Sequence, residues 1–158
     1  MEISQEGITL IKHYEGCPKD NDGNAVSYRC AANKATIGYG SLKLIDGSPV
    51  KDNISITMQE AEDLLTHELK EYQGYINDMV TVPLKQNEFD ALVSWVFNLG
   101  PSNLKSSTML KVLNEGKYQE VPEQIKRWNK VNNKVNEGLV KRRKSEALLF
   151  ECQDWTCV

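Results

Sequence analysis

The sequence Thr57-Met58-Gln59-Glu60 is a capping box, in which a hydroxyl and a carboxylate close the first amides of a helix on each other. Behind it Ala61, Leu64, Leu65, Leu69, Tyr72, Ile76 and Met79 recur near one side at helical spacing, and Pro83 breaks the pattern. A single helix over 58–79 is therefore expected. It is long enough to belong to two lobes at once, one before it and one after it. The rest of the chain is arranged around this predicted connector.

Before the connector lies a short helix over 4–14, with Ser4 at its N-cap and Gln5-Glu6 in its first turn. Ile3, Gly7, Leu10 or Ile11 and Tyr14 share a face, and Gly16 supplies the stop. Strands are expected over 27–30 and 35–39 around an Asn33-Lys34 turn, with a third over 42–45 ended by Asp46-Gly47. Such a sheet is too small to stand alone and must lean on helices. After the connector, 86–99 is strongly helical and ends at Gly100-Pro101. A short helix capped by Ser106 or Ser107 runs to Gly116, another covers 119–128 with Trp128 in the core, 131–138 is a polar loop, and 139–151 is the last helix. The fold class is α+β, mostly helical with a small antiparallel sheet near the N-terminus.

At 158 residues the chain suits one domain. Its net charge of −3 gives no sign of nucleic-acid binding. The run Lys141-Arg142-Arg143-Lys144 is the exception, read either as a solvated helix face or as a patch that meets a polymer. No apolar run spans a membrane, and the acidic start Met-Glu-Ile-Ser-Gln-Glu lacks the pattern of a signal peptide. Cys17, Cys30, Cys152 and Cys157 allow three complete pairings and do not have zinc spacing. The Asp20-Asn21-Asp22-Gly23-Asn24 loop begins like a calcium loop, but Ala31 stands where the bidentate Glu belongs, so a turn is the preferred reading.

Three motifs remain: Tyr14-Glu15-Gly16, Tyr28-Arg29-Cys30 and Thr36-Ile37-Gly38-Tyr39-Gly40. Together they resemble the active-site region of phage-type lysozymes, the endolysins of glycoside hydrolase family 24. Two later stretches resemble the same family, Ala91-Leu92-Val93-Ser94-Trp95-Val96-Phe97-Asn98-Leu99-Gly100 and Gly138-Leu139-Val140-Lys141-Arg142-Arg143. The resemblance implies one lysozyme-like domain, with an N-terminal lobe at about 15–56, the connecting helix at about 58–79, and a helical lobe at about 83–151 on which helix 4–14 packs. It implies an inverting muramidase that cuts the β-1,4 bond between N-acetylmuramic acid and N-acetylglucosamine in peptidoglycan. No metal or organic cofactor is implied.

The resemblance also assigns roles. Glu15 would be the acid that protonates the leaving oxygen, and it needs apolar surroundings or a neighbouring negative charge to keep its proton. Cys30 stands at the second position, usually Asp and sometimes Cys. There it would be a base, a positioner of water, a nucleophile or, in the bland case, a disulfide partner. Thr36 would hold the water. Leu42, Phe97 and Ser107 match residues that contact substrate in the family, and Arg142 stands where the family has a basic residue near the acid, either to orient Glu15 or to bind substrate through the polymer's peptide carboxylates. Two departures stand out: fourteen residues separate Glu15 from Cys30, more than the family's usual interval, and Ser41 follows Gly40 where the family often has His. The implied partner is bacterial peptidoglycan, met by a monomer with no nucleic acid and no stable membrane insertion. The implied role is host lysis by a phage or prophage, with synthesis in the host cytoplasm and action on the wall after release. A wall-binding module without activity, or an antibacterial effector domain with the same chemistry, are the alternatives.

Overall fold

The computed structural model describes residues 1–158. In chain order the elements are α1 (Gln5–Glu15), β1 (Ala25–Val26), β2 (Tyr28–Arg29), β3 (Ala35–Thr36), β4 (Ser55–Ile56), α2 (Met58–Met79), α3 (Gln86–Leu99), α4 (Pro101–Ser106), α5 (Thr108–Asn114), α6 (Val121–Lys126), β5 (Lys130–Val131), β6 (Lys134–Val135) and α7 (Glu137–Phe150). The chain is thus mostly helical with small antiparallel pairs, as its sequence pattern predicts. It divides into two compact units, 11–71 and the combination of 1–10 with 72–158, so that both α1 and α2 run through the division. No helix is long and apolar enough to cross a membrane.

In the unit over 11–71, α2 starts as expected. The Glu60 amide donates to Thr57 Oγ1 at 3.1 Å, and the Thr57 amide donates to Glu60 Oε1 at 3.1 Å. Ala61, Leu64, Leu65 and Leu69 are buried on its stripe, with Ile11, Ala25, Ile37 and Val50 completing the core. The α1 helix stops where Gly16 turns to a φ of 66°, its amide still bonded to the Lys12 carbonyl. The strands are shorter than expected. β2 pairs with β3, Tyr28 opposite Thr36 and Arg29 opposite Ala35, while 42–45 forms only a single bridge from Lys43 to Pro49. A pair absent from the sequence reading joins β1 to β4, and the calcium-like loop enters it as a turn in which Asp20 Oδ1 accepts the amides of Asp22 and Asn24.

In the other unit, α3 is buried almost throughout, from Glu88 to Val96, and packs on α7. Ser4 does not cap α1 with its side chain. Its hydroxyl donates to Asp90 on α3, and its amide does the same at 2.9 Å. Gly7 permits this approach, because a Cβ there would lie 2.8 Å from that of Asp90. Ser107 caps α5, accepting the Leu110 amide at 3.1 Å. The expected loop over 131–138 is instead the β5–β6 hairpin, turned by Asn132 and Asn133 with φ of 50° and 66°.

The basic run of α7 is split by the helix. Lys141 and Lys144 are exposed, while Arg142 and Arg143 are buried. Glu146, itself without exposure, accepts from the Ser94 hydroxyl and pairs with Arg143 at 2.7 Å and Arg142 at 3.3 Å. Neither reading of the run as a surface holds for these two arginines, because the carboxylate one turn on compensates their burial. Replacing Glu146 with Ala removes from both buried guanidiniums the carboxylate they share. The expected cost is about 3–5 kcal/mol, measured as a lower urea midpoint with an unchanged slope. A loss below about 1 kcal/mol would show that this pair does not hold α7 to α3.

Candidate active site

Glu15 is the last residue of α1, half-buried, where Gly16 lets the chain turn away. Opposite it lies Gly40. A Cβ on Gly40 would sit 3.7 Å from Glu15 Oε2, at a φ of 95° that other residues rarely adopt. The last glycine of the Gly-Tyr-Gly run therefore brings backbone against the carboxylate. Lys12, one turn earlier on α1, is taken up by Glu62 at 2.6 Å and by the ring of Tyr39 at 5.7 Å.

The β2–β3 hairpin positions the other two candidates. The Cys30 amide donates to the Lys34 carbonyl at 3.0 Å and the Asn33 amide to the Cys30 carbonyl at 2.8 Å, with Asn33 at a φ of 59° closing the turn. The half-buried Cys30 side chain thus sits at the mouth of a turn whose amides face it. Its thiol is held below the ordinary thiol range, first by the Lys34 amide, then by the Thr36 hydroxyl and the Ala32 amide, all of which favour the thiolate. Thr36 is 2 % exposed, and its hydroxyl also donates to the Lys34 carbonyl at 2.8 Å. A hydroxyl has one proton. With a neutral thiol it goes to the carbonyl; a thiolate draws it to sulfur.

Tyr28 ties the three together. Its backbone pairs with Thr36, and its hydroxyl is pushed above the usual phenol range by burial, then by the charges of Glu15, Cys17 and Cys30. One phenol hydroxyl therefore stands within the field of the acid and of the thiol. All four cysteines are free thiols, so Cys30 is not a disulfide partner. Cys17 lies 3.8 Å from the sulfur of Met58, and burial raises its thiol while Lys19 acts weakly the other way. The long segment between Glu15 and Cys30 is accommodated by the Asp20 turn and β1.

The remaining candidates fall in different settings. Leu42, in the same unit as Glu15, is 43 % exposed. Phe97 on α3 is half-buried edge-on to Tyr72, 5.0 Å between ring centres. Arg142 is 4 % exposed and its guanidinium meets Glu146 and the Ser94 carbonyl. Ser107, nearly buried, lies at the wall of a cavity of about 520 Å³ with Arg127, Trp128, Lys130 and Asn132. Trp128, expected in the core, is half-buried on that wall and packs edge-on against Trp95. Glu68, an acid one turn after Leu64 and one before Tyr72 on α2, is half-buried, and burial pushes its carboxyl above the usual range. No cluster of side chains here has the makings of a metal site.

The family model described as phage lysozyme matches residues 12–146. The endolysin of Bacillus phage B103 is 40 % identical over 152 residues, covering 95 % of this chain, which spans about half, 54 %, of that relative's length. Among solved structures, the endolysin from Escherichia coli O157:H7 phage FAHEc1 superposes with a TM-score of 0.85 at 36 % identity, over 95 % of this chain and 93 % of that one. The muramidase domain of SpmX from Asticaccaulis excentricus superposes with a TM-score of 0.80 at 31 % identity, over 94 % of this chain and 97 % of that one.

The opposite shifts of Cys30 and Cys17 predict different reactivity. At neutral pH Cys30 carries more thiolate than Cys17, so iodoacetamide should modify Cys30 first, read by peptide mass spectrometry against time. Thr36→Val removes one group that favours the thiolate, so the Cys30 profile should move to higher pH. Equal rates at the two thiols across pH would contradict the geometry of the turn.

Proposed function

The chain belongs to the phage lysozyme family, and from that premise we propose that it is a peptidoglycan-degrading glycoside hydrolase, a muramidase acting with inversion at the β-1,4 bond after N-acetylmuramic acid. The observation that carries the reading is the junction at Tyr28, whose hydroxyl feels both Glu15 and Cys30 while its backbone pairs with Thr36. An acid and a water-holding pair are what an inverting glycosidase needs.

In this mechanism Glu15 gives its proton to the glycosidic oxygen as the bond to the anomeric carbon breaks. Water attacks that carbon from the opposite face of the sugar. Thr36 accepts or donates one hydrogen bond to the water and orients it. The Cys30 thiolate takes the proton that the water loses. At the end Glu15 is ionised, Cys30 is a thiol, and exchange with solvent restores both. The turn amides that favour the thiolate make this division of labour workable, because a neutral thiol is a poor base.

Leu42, Phe97 and Ser107 serve the same reading as contacts for the glycan and its peptides. Arg142, engaged by Glu146 and Ser94, serves it as a support for that side. The chain acts as a monomeric lysozyme-like domain, made in the host cytoplasm and active on the wall after release, in the lysis of a phage host. The endolysin relatives and the solved muramidase domain support the lytic part of this reading.

Glu15→Gln should lower the release of muramic-acid reducing ends from purified peptidoglycan by about 10²–10⁴-fold, the range of a general acid. Freshly released product from the wild type should carry the α anomer, followed by proton NMR before mutarotation. Retained activity in Glu15→Gln would remove the acid from this account, and a β product would remove inversion.

A further inference from the structure

Helix α6 ends on Lys126, and Arg127-Trp128-Asn129-Lys130 carry the chain from it into the β5–β6 hairpin. Arg127 and Lys130 both reach the cavity of about 520 Å³ on whose wall Ser107 lies. Both side chains are exposed, and neither has a carboxylate partner. The Arg127 guanidinium donates to the side-chain oxygen of Gln124 at 3.1 Å, a neutral group one turn earlier that orients the guanidinium and leaves its charge uncancelled. No Asp or Glu lines the cavity. Its backbone is anchored. The Asn136 amide donates to the Asn129 carbonyl at 2.8 Å and closes the hairpin, and Trp128 is held edge-on by Trp95.

Other cavities of the molecule differ in sign. One of about 550 Å³ beside α7 is lined by Lys126, Lys141 and Lys144, but also by Glu137 and Glu151, and Lys126 is paired with Glu123 at 2.7 Å. Another, of about 310 Å³ in the unit over 11–71, carries Asp46, Glu60 and Asp63. The cavity beside Ser107 therefore has two cations at its edge and nothing in its wall to neutralise them, which favours an anionic ligand.

We propose that Arg127 and Lys130 make this cavity a receptor for a free carboxylate on the stem peptides of peptidoglycan, so that the chain selects acid stems over amidated ones. This rests on the muramidase reading and deepens it. The N-acetylated sugars of the glycan carry no charge, and the negative charge of such a substrate lies on its peptides. Arg142, which the sequence offered for those carboxylates, is 4 % exposed and engaged by Glu146, whereas Arg127 and Lys130 face solvent. A guanidinium fork matches both oxygens of a carboxylate, and the ammonium adds a second charge. A primary amide has nearly the same shape but no charge, and it turns an N–H group toward donors that have none to accept it. Leu99 and Trp128 give the hydrocarbon of the peptide an apolar wall.

The test has two readouts. The first needs no turnover. A soluble stem tetrapeptide, Ala-(γ-Glu)-Lys-Ala with free carboxyls, is titrated into the wild type while proton–nitrogen NMR follows the Trp128 indole and the Asn132 and Asn133 side-chain amides. These signals should shift, and the same peptide amidated at its carboxyls should need roughly three- to tenfold more to shift them equally. Arg127→Gln and Lys130→Gln should each weaken the acid peptide and leave the amidated one alone, and Arg127→Lys, which keeps the charge, should retain part of the preference. Equal binding of the two peptides overturns the proposal, as does a glycerol phosphate oligomer that binds as tightly as the acid peptide. The second readout is KM for peptidoglycan before and after its carboxyls are amidated with carbodiimide and ammonia. In the wild type KM should rise by the same factor with kcat unchanged, and in the Arg127→Gln, Lys130→Gln double variant it should be high on both walls. A variant that lowers kcat alike on both walls, with KM in place, would mean a structural role and overturn the proposal. Should the double variant fail to fold, the single variants and the wild-type comparison decide it. If the acid peptide binds with this preference and the wild type releases no sugar ends, the receptor stands and the muramidase reading fails. Sugar ends released with one KM from both walls keep that reading and overturn the proposal.

Discussion

Tyr28 faces Thr36 across two short strands, and the register of that pair decides which side chains meet. Side chains alternate along a strand, so a slip of one residue would carry Thr36 to the other face and part its hydroxyl from Cys30. The Cys30–Lys34 turn holds the register from one end, and Gly38 and Gly40 bend the chain at the other, where backbone returns to Glu15. The strands are only two residues long. They persist because Ala25, Ile37 and the stripe of α2 bury the face beneath them. The proposed chemistry thus depends on a hairpin that would not survive on its own.

The electrostatics of this unit divide along the same lines. Hydrogen bonds from a turn lower the Cys30 thiol, while burial raises the Cys17 thiol, Tyr28 and Glu68. Groups of similar composition are driven in opposite directions by whether amides or apolar atoms surround them. In the other unit, charges serve packing. Asp90 gathers the start of α1 and Gln86, and Glu146 gathers Ser94 with two arginines. Breaking either set would leave buried polar groups unpaired, which costs more than the hydrogen bonds contribute.

Much of the helical framework was legible in the chain. The capping box at Thr57, the stops at Gly16 and Gly100, and the Ser107 cap are local devices whose partners lie within four residues. Elements without such devices were misread. The β5–β6 hairpin turns on two asparagines rather than a glycine, and its strands are exposed, so neither alternation nor punctuation marked it. The α7 arginines looked like surface because charge is ordinarily solvated, and Glu146 was not seen to lie beneath them.

By itself the sequence determined the family, the helix ends and the identity of the three residues to which the proposed chemistry is assigned. These depend on residue type and short spacing, which a linear chain already contains. Tertiary structure alone decided what surrounds each of them: the amides on Cys30, the Gly40 backbone on Glu15, and the Lys34 carbonyl that takes the Thr36 hydroxyl. Glu15 and Gly40 are twenty-five positions apart in the sequence, and no local pattern connects them. Their relation follows from burying the stripe of α2 beneath the loop that follows β3, and the free energy of that burial has no signature in either segment read alone.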